Sequence, residues 1–156
     1  MNVLAVLAGA LLTGLGSALL PFINAEAYVG GSAALGAAAL PLVVLAMAVG
    51  QTAGKAALFE AARRGTGRFS GRAKKVRTGS ARLRASYARL RSLLAAPRTG
   101  VPVVLASAAL GVPPLAVVSV AAGAAGHSRW AFMASCLAGR TARFAVIALA
   151  LTSATA

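Results

Sequence analysis

Four stretches of this chain, residues 3–23, 27–49, 101–126 and 130–152, are apolar with few interruptions. Each holds about 20 residues or more, the length of helix that crosses a hydrocarbon layer ~30 Å thick. The composition agrees: 59% of the 156 residues are hydrophobic, 12% are charged and the mean hydropathy is +0.81. A water-soluble fold of this size needs far more polar surface. The chain therefore reads as an all-α integral membrane protein, and its length allows one domain, 1–156.

The net charge of +14 is unevenly placed, with twelve of the sixteen Lys and Arg residues in 63–98. In a soluble chain such a block would suggest a nucleic-acid patch. Between membrane spans it marks a cytoplasmic loop, because cytoplasmic loops carry the excess of Lys and Arg. No nucleic-acid partner is expected. Basic residues near the surface also attract anionic lipid head groups, by about 1 kcal/mol each. The opening MNVLAVLAGALL has no Lys or Arg and so lacks the basic region of a secretory signal; it reads as a retained membrane segment.

Two acids, one His, one Cys and no Asp leave no zinc set, carboxylate pair or catalytic triad to assemble, and a two-residue site at most. No enzyme activity, cofactor or metal is expected, and the lone Cys136 forms no intramolecular disulfide.

The first half, 1–62, begins with a helix over 3–20 that carries Gly9, Gly14 and Gly16, small residues of the kind found where membrane helices approach closely. Pro21 and PFINAEAY interrupt it. Leu40-Pro41 then starts a cleaner helix, with proline where a missing N–H costs nothing. In that helix Lys55 reads as reaching along its stem towards the cytoplasmic face, and Glu60 as a local partner of Arg63 and Arg64.

Within the loop, Leu83, Tyr87, Leu90 and Leu94 form one helical stripe over about 80–95. Arg82, Arg84, Arg89 and Arg91 occupy its other faces as candidate lipid head-group contacts. The helix lies either flat on the membrane surface or as a short solvated helix under the bundle, ending at Pro97. In the second half, 99–156, Pro113-Pro114 divides an apolar run into two short helices, since each proline removes a donor and forces the preceding residue out of helical geometry. Lipid does not tolerate such a break unless protein covers it. The segment 101–125 reads as a re-entrant helical hairpin, with a kinked span as the alternative. Trp130 opens the last helix as an interface anchor.

Arg140 and Arg143 fall near the middle of that last helix, on one face. An arginine at the bilayer centre costs about 2.5–3.5 kcal/mol, so the two together cost roughly 5–7 kcal/mol unless compensated. Backbone carbonyls, snorkelling, water and an anion are candidates. The one distant carboxylate is Glu26, which reaches membrane depth only if residues 20–36 form a first re-entrant hairpin; otherwise it is an acid in an outer loop. Glu26, Arg140 and Arg143 are thus the candidate substrate- or ion-binding residues. A faint repeat accompanies them. Gly50-Gln51-Thr52-Ala53 follows Pro21 by 29 residues, and Gly139-Arg140-Thr141-Ala142 follows Pro114 by 25. If the first span runs inward and the second outward, the halves form an inverted repeat of the kind found in transporters.

The order of these features resembles the DedA family, also called the SNARE-associated Golgi or VTT-domain family. The likeness rests on Pro21 to Glu26 with Gly30-Gly31, Gly50 and Gly54, the basic stretch, Pro113-Pro114 with Ser119 and Ala122-Gly123, and Gly139-Arg140; it spans about 15–152. The resemblance implies two opposed re-entrant hairpins, a bacterial inner or plasma membrane location and movement of lipids between leaflets. It implies undecaprenyl phosphate or phosphatidylethanolamine as substrates, with protons as a coupling partner in some members. It maps a hairpin acid onto Glu26 and a late-helix arginine onto Arg140 and, by extension, Arg143. The chain departs from the family in its few acids and in lacking an arginine near Pro113. The expectation is a lipid flippase, scramblase or transporter of a phosphate-bearing lipid. The alternative is a non-transporting scaffold whose basic loop docks a partner or anionic lipid. Membrane lipids are the expected partners, and a second copy of the chain is a further candidate.

Overall fold

The computed structural model of the chain describes residues 3–19, 27–28, 31, 39–68 and 81–154. Six helices are built from them, and no strand occurs among the described residues: α1 Val3–Leu19, α2 Leu40–Arg68, α3 Ala81–Ala95, α4 Pro97–Leu110, α5 Leu115–Ala124 and α6 Arg129–Ala154. Two are long and apolar enough to cross a membrane, α2 over Leu40–Gly65 and α6 over Arg129–Ala150. The helices α1 and α5 are apolar but shorter, and α3 and α4 meet at a bend of 117°.

Proline placement sets several boundaries. Pro41 lies in the first turn of α2. Pro97 ends α3 and also opens α4, where its missing N–H is one that no helix would bond anyway. The helix α4 therefore takes in residues 97–100, which sequence reasoning left outside the hairpin. It stops at Gly111, whose φ of +80° suits glycine and whose N–H donates to the Ser107 carbonyl. Pro113 and Pro114 then fill the break before α5. The Ser107 hydroxyl closes it by donating to the Pro113 carbonyl at 2.6 Å.

The segment folds back on itself. The His127 N–H donates to the Ala122 carbonyl at the end of α5. At Gly100, near the start of α4, a Cβ would lie 2.6 Å from His127 Cε1. Both ends of the α4–α5 hairpin thus reach the same end of the bundle. The expected first hairpin, 20–36, lies outside the described residues except for Ala27, Tyr28 and Gly31. Tyr28 donates its hydroxyl to the Val6 carbonyl at 3.0 Å. The chain that leaves α1 at Leu19 has therefore returned by residue 28 towards the opposite end of that helix.

Helix directions follow from which residues touch. On α1 and α2, Gly14 lies against Met47 and Gln51, Gly50 against Leu11 and Leu15, and Gly54 against Leu15 and Ala18. Later residues meet later residues, so the two helices run parallel. On α4 and α6, Gly139 lies against Leu105 and Ala108, and Gly111 against Arg143, so these also run parallel. Across the two pairs, the Phe59 and Phe132 rings stack with centroids 4.7 Å apart. At the far end Leu40 and Val44 share a core with Ala148. The helices α2 and α6 are antiparallel, and the α1–α2 pair runs opposite to the α4–α6 pair.

Glycine contacts matter here because apolar burial gives little drive to association inside lipid; close van der Waals packing supplies it. One core gathers Ala10, Val43, Met47, Phe144 and Ala148; a second gathers Phe59, Leu94, Val104, Val118, Phe132 and Cys136. Leu94 brings α3 into the second core, with Leu90 packed against it, and the Arg91 Nη2 donates to the Ala124 carbonyl at 3.1 Å. The leucine stripe of α3 thus turns onto the hairpin at its C-terminal end. The side chains of Leu83, Arg82 and Arg84 are outside the described set.

Candidate functional site

Between α1, α2 and α6 the apolar packing gives way to a buried polar seam. It starts at Gly50, where close approach of α1 leaves the next turn of α2 facing the bundle interior. Gln51, Thr52 and Lys55 occupy that turn and are all buried. Gln51 Nε2 donates to the Ser17 hydroxyl at 2.8 Å, and Ser17 in turn donates to the Gly14 carbonyl at 2.9 Å. Gln51 Oε1 is buried without a hydrogen-bond partner. The Thr52 hydroxyl faces the Cys136 thiol of α6.

Lys55 departs from expectation. Its side chain does not run to the surface: the residue is 7% exposed, and its ammonium donates to the Ala18 carbonyl. Ala18 belongs to the last turn of α1, where carbonyls lack helical partners and carry the negative end of the helix dipole. The cation therefore caps α1. It also lies within electrostatic reach of Arg140 and Cys136 on α6.

Arg140 and Arg143 share one helix face by spacing, yet they meet different neighbours. Arg140 is partly buried and acts electrostatically on Lys55 and Cys136. Arg143 reaches the turn of the hairpin, where its Nη1 would stand 2.9 Å from a Cβ on Gly111. The C-terminal end of α4 thus meets a guanidinium from α6 much as the end of α1 meets the ammonium from α2. Glu26, the third expected site residue, lies outside the described residues.

Glu60 sits at the basic end of α2, away from this seam. Its carboxylate pairs with Arg64 at 3.7 Å, as local spacing suggests, and more closely with Arg129 at 2.6 Å, which sequence reasoning missed. Among the head-group candidates, Arg91 is tied to the hairpin while Arg89 is exposed beside a groove.

The seam is rich in donors: an ammonium, a guanidinium, a carboxamide and a hydroxyl. That chemistry suits an anion. Among the described residues no three His, Cys, Asp or Glu side chains gather as metal ligands. Sequence reasoning noted Gly50-Gln51-Thr52 as half of a repeat but did not read it as part of a site. The available signal was a Gln-Thr-x-x-Lys run inside an apolar span, since polar groups there are costly unless used. No protein-family model, curated protein or solved structure matches the chain.

Proposed function

We propose that the chain carries a phosphate-bearing lipid between membrane leaflets, as a flippase or scramblase, and that it belongs with the DedA family it resembles. The observation that carries this reading is the pairing of cations inside the bundle: Lys55 of α2 and Arg140 of α6 lie close enough to feel each other's charge in a buried seam. An ammonium and a guanidinium brought to one seam offer the charge-assisted donors that a phosphate accepts from. The opposed senses of the α1–α2 and α4–α6 pairs support an inverted repeat, with Gly50 and Gly139 as matching contact points. The folded-back α4–α5 pair supports a re-entrant hairpin, with Arg143 at its tip. In this reading the basic stretch 63–98 faces the cytoplasm of a bacterial inner membrane. Glu26 pairs with the arginines in the empty site or takes a proton.

Reconstitution into vesicles tests it. Fluorescent phospholipid and polyprenyl phosphate should become accessible from the opposite leaflet in the presence of the protein. Arg140→Ala should reduce the rate at least tenfold, and Glu26→Gln should remove any dependence on a proton gradient. Absence of movement for both lipids, or an unchanged rate in Arg140→Ala, sinks the reading. A scaffold instead would lose its role on neutralising Arg82, Arg84, Arg89 and Arg91 and be indifferent to Arg140.

A further inference from the structure

A groove of about 590 Å³ runs between α3 and the tip of the α4–α5 hairpin, far from the buried seam in sequence and on a different set of helices. Leu90 and Leu93 of α3 line one wall, and Pro113 and Val117 of the hairpin line the other. Ser86, Tyr87 and Arg89 supply its polar groups. Its size falls in the ~300–1,000 Å³ range of pockets that hold small molecules.

The charge at its lip decides what fits. The neighbouring Arg91 is committed to the Ala124 carbonyl. Arg89 is exposed, and its side chain has no hydrogen bond or ion pair to the rest of the described protein. Its guanidinium offers a planar fork of donors that matches a phosphodiester, with the Ser86 hydroxyl beside it. A free inorganic anion would satisfy Arg89 and leave the leucine, proline and valine walls unfilled. A neutral hydrocarbon would fill the walls and leave the guanidinium unmatched. One molecule satisfies both: an acidic glycerophospholipid with its phosphate on Arg89 and an acyl chain along Leu90, Leu93 and Val117.

We infer that this groove is a binding site for a single anionic phospholipid, which fastens α3 to the hairpin from outside. The site does not depend on the transport reading, and binding is measured without any transport assay.

The test uses a tryptophan in the groove. Tyr87→Trp combined with Trp130→Phe leaves one reporter. The protein is placed in phosphatidylcholine vesicles carrying equal amounts of either brominated phosphatidylglycerol or brominated phosphatidylcholine. Bromine quenches tryptophan only at contact, so the ratio of the two lipids' apparent affinities reads the preference. The expected preference for the anionic lipid is about fivefold, the factor one basic residue's attraction supplies. Arg89→Gln should bring it to unity, while Arg98→Gln, an equal change of charge outside the groove, should keep it. Equal quenching by both lipids in the parent overturns the site. Equal loss of preference in Arg89→Gln and Arg98→Gln also overturns it, since the attraction would then belong to the whole basic surface. Should the reporter variant not fold, native mass spectrometry of the unsubstituted protein and of the two glutamine variants, scoring retained phosphatidylglycerol, reads the same preference.

Discussion

At the scale of single residues, glycines hold the helix pairs together. A Cβ at Gly50 would collide with the Leu11 carbonyl, which is backbone and cannot swing aside. Gly50→Ala should therefore destabilise the protein by about 1–3 kcal/mol, the usual penalty of overpacking. Gly65, in the same helix, faces open space. There the same substitution should stabilise by about 0.5–1 kcal/mol, because alanine loses less backbone freedom in a helix. Denaturation in detergent, followed by circular dichroism, separates the two outcomes. Gly111 combines a positive φ with the nearby Arg143 guanidinium. Gly111→Ala should cost about 1–2 kcal/mol from backbone strain alone. In the double variant with Arg143→Ala the cost should be smaller than the sum of the two single changes, because the steric part is relieved. Simple additivity would show that Arg143 does not press on this turn.

At the scale of elements, much of the pattern was legible. Leu40-Pro41, Trp130 and the double proline mark real boundaries, because proline acts on its own neighbours and leaves a local trace. Partners that lie far apart in sequence left no such trace. Glu60 shows both cases: Arg64 lies four residues on and was expected, while Arg129 lies on another helix and was not. Lys55 was misread for the same reason, since nothing local indicates that the end of α1 stands beside it. The leucine stripe of α3 and the hairpin after it were each legible, but their contact was not, because a stripe states which face is buried and not by what.

The contact between the basic ends of α2 and α6 can be weighed in the same way. The stacked Phe59 and Phe132 are fully buried, whereas the carboxylate of Glu60 keeps 24% of its exposure. Phe59→Ala should cost about 3–5 kcal/mol. Glu60→Gln should cost under about 1 kcal/mol, as for exposed ion pairs. Urea or SDS titration of both variants checks the ranking, and a larger loss in Glu60→Gln would reverse the assignment.

At the scale of the whole molecule, the described residues give α2 and α6 opposite directions and bring the C-terminal ends of α2, α3 and α5 to one end of the bundle. Cys136 lies fully buried between the two pairs. A maleimide should leave it unmodified in the native protein and react once SDS unfolds the bundle. In a Cys136→Ala background, cysteines at positions 64 and 130 should be labelled from one side of the membrane and a cysteine at 153 from the other. Labelling of all three from a single side would contradict two antiparallel spans.

The glycine contacts have a consequence for motion. With α2 touching the backbone of α1, and α6 that of α4, neither of these two contact lines leaves room for a guest, so each pair packs as one plank. Gly123 of α5 also presses on the Phe59 carbonyl of α2, beside the stacked aromatic rings. The planks are thus pinned at the arginine-rich foot. The space left between them lies at the opposite rim, where Val44, Thr141 and Ala148 border a cleft.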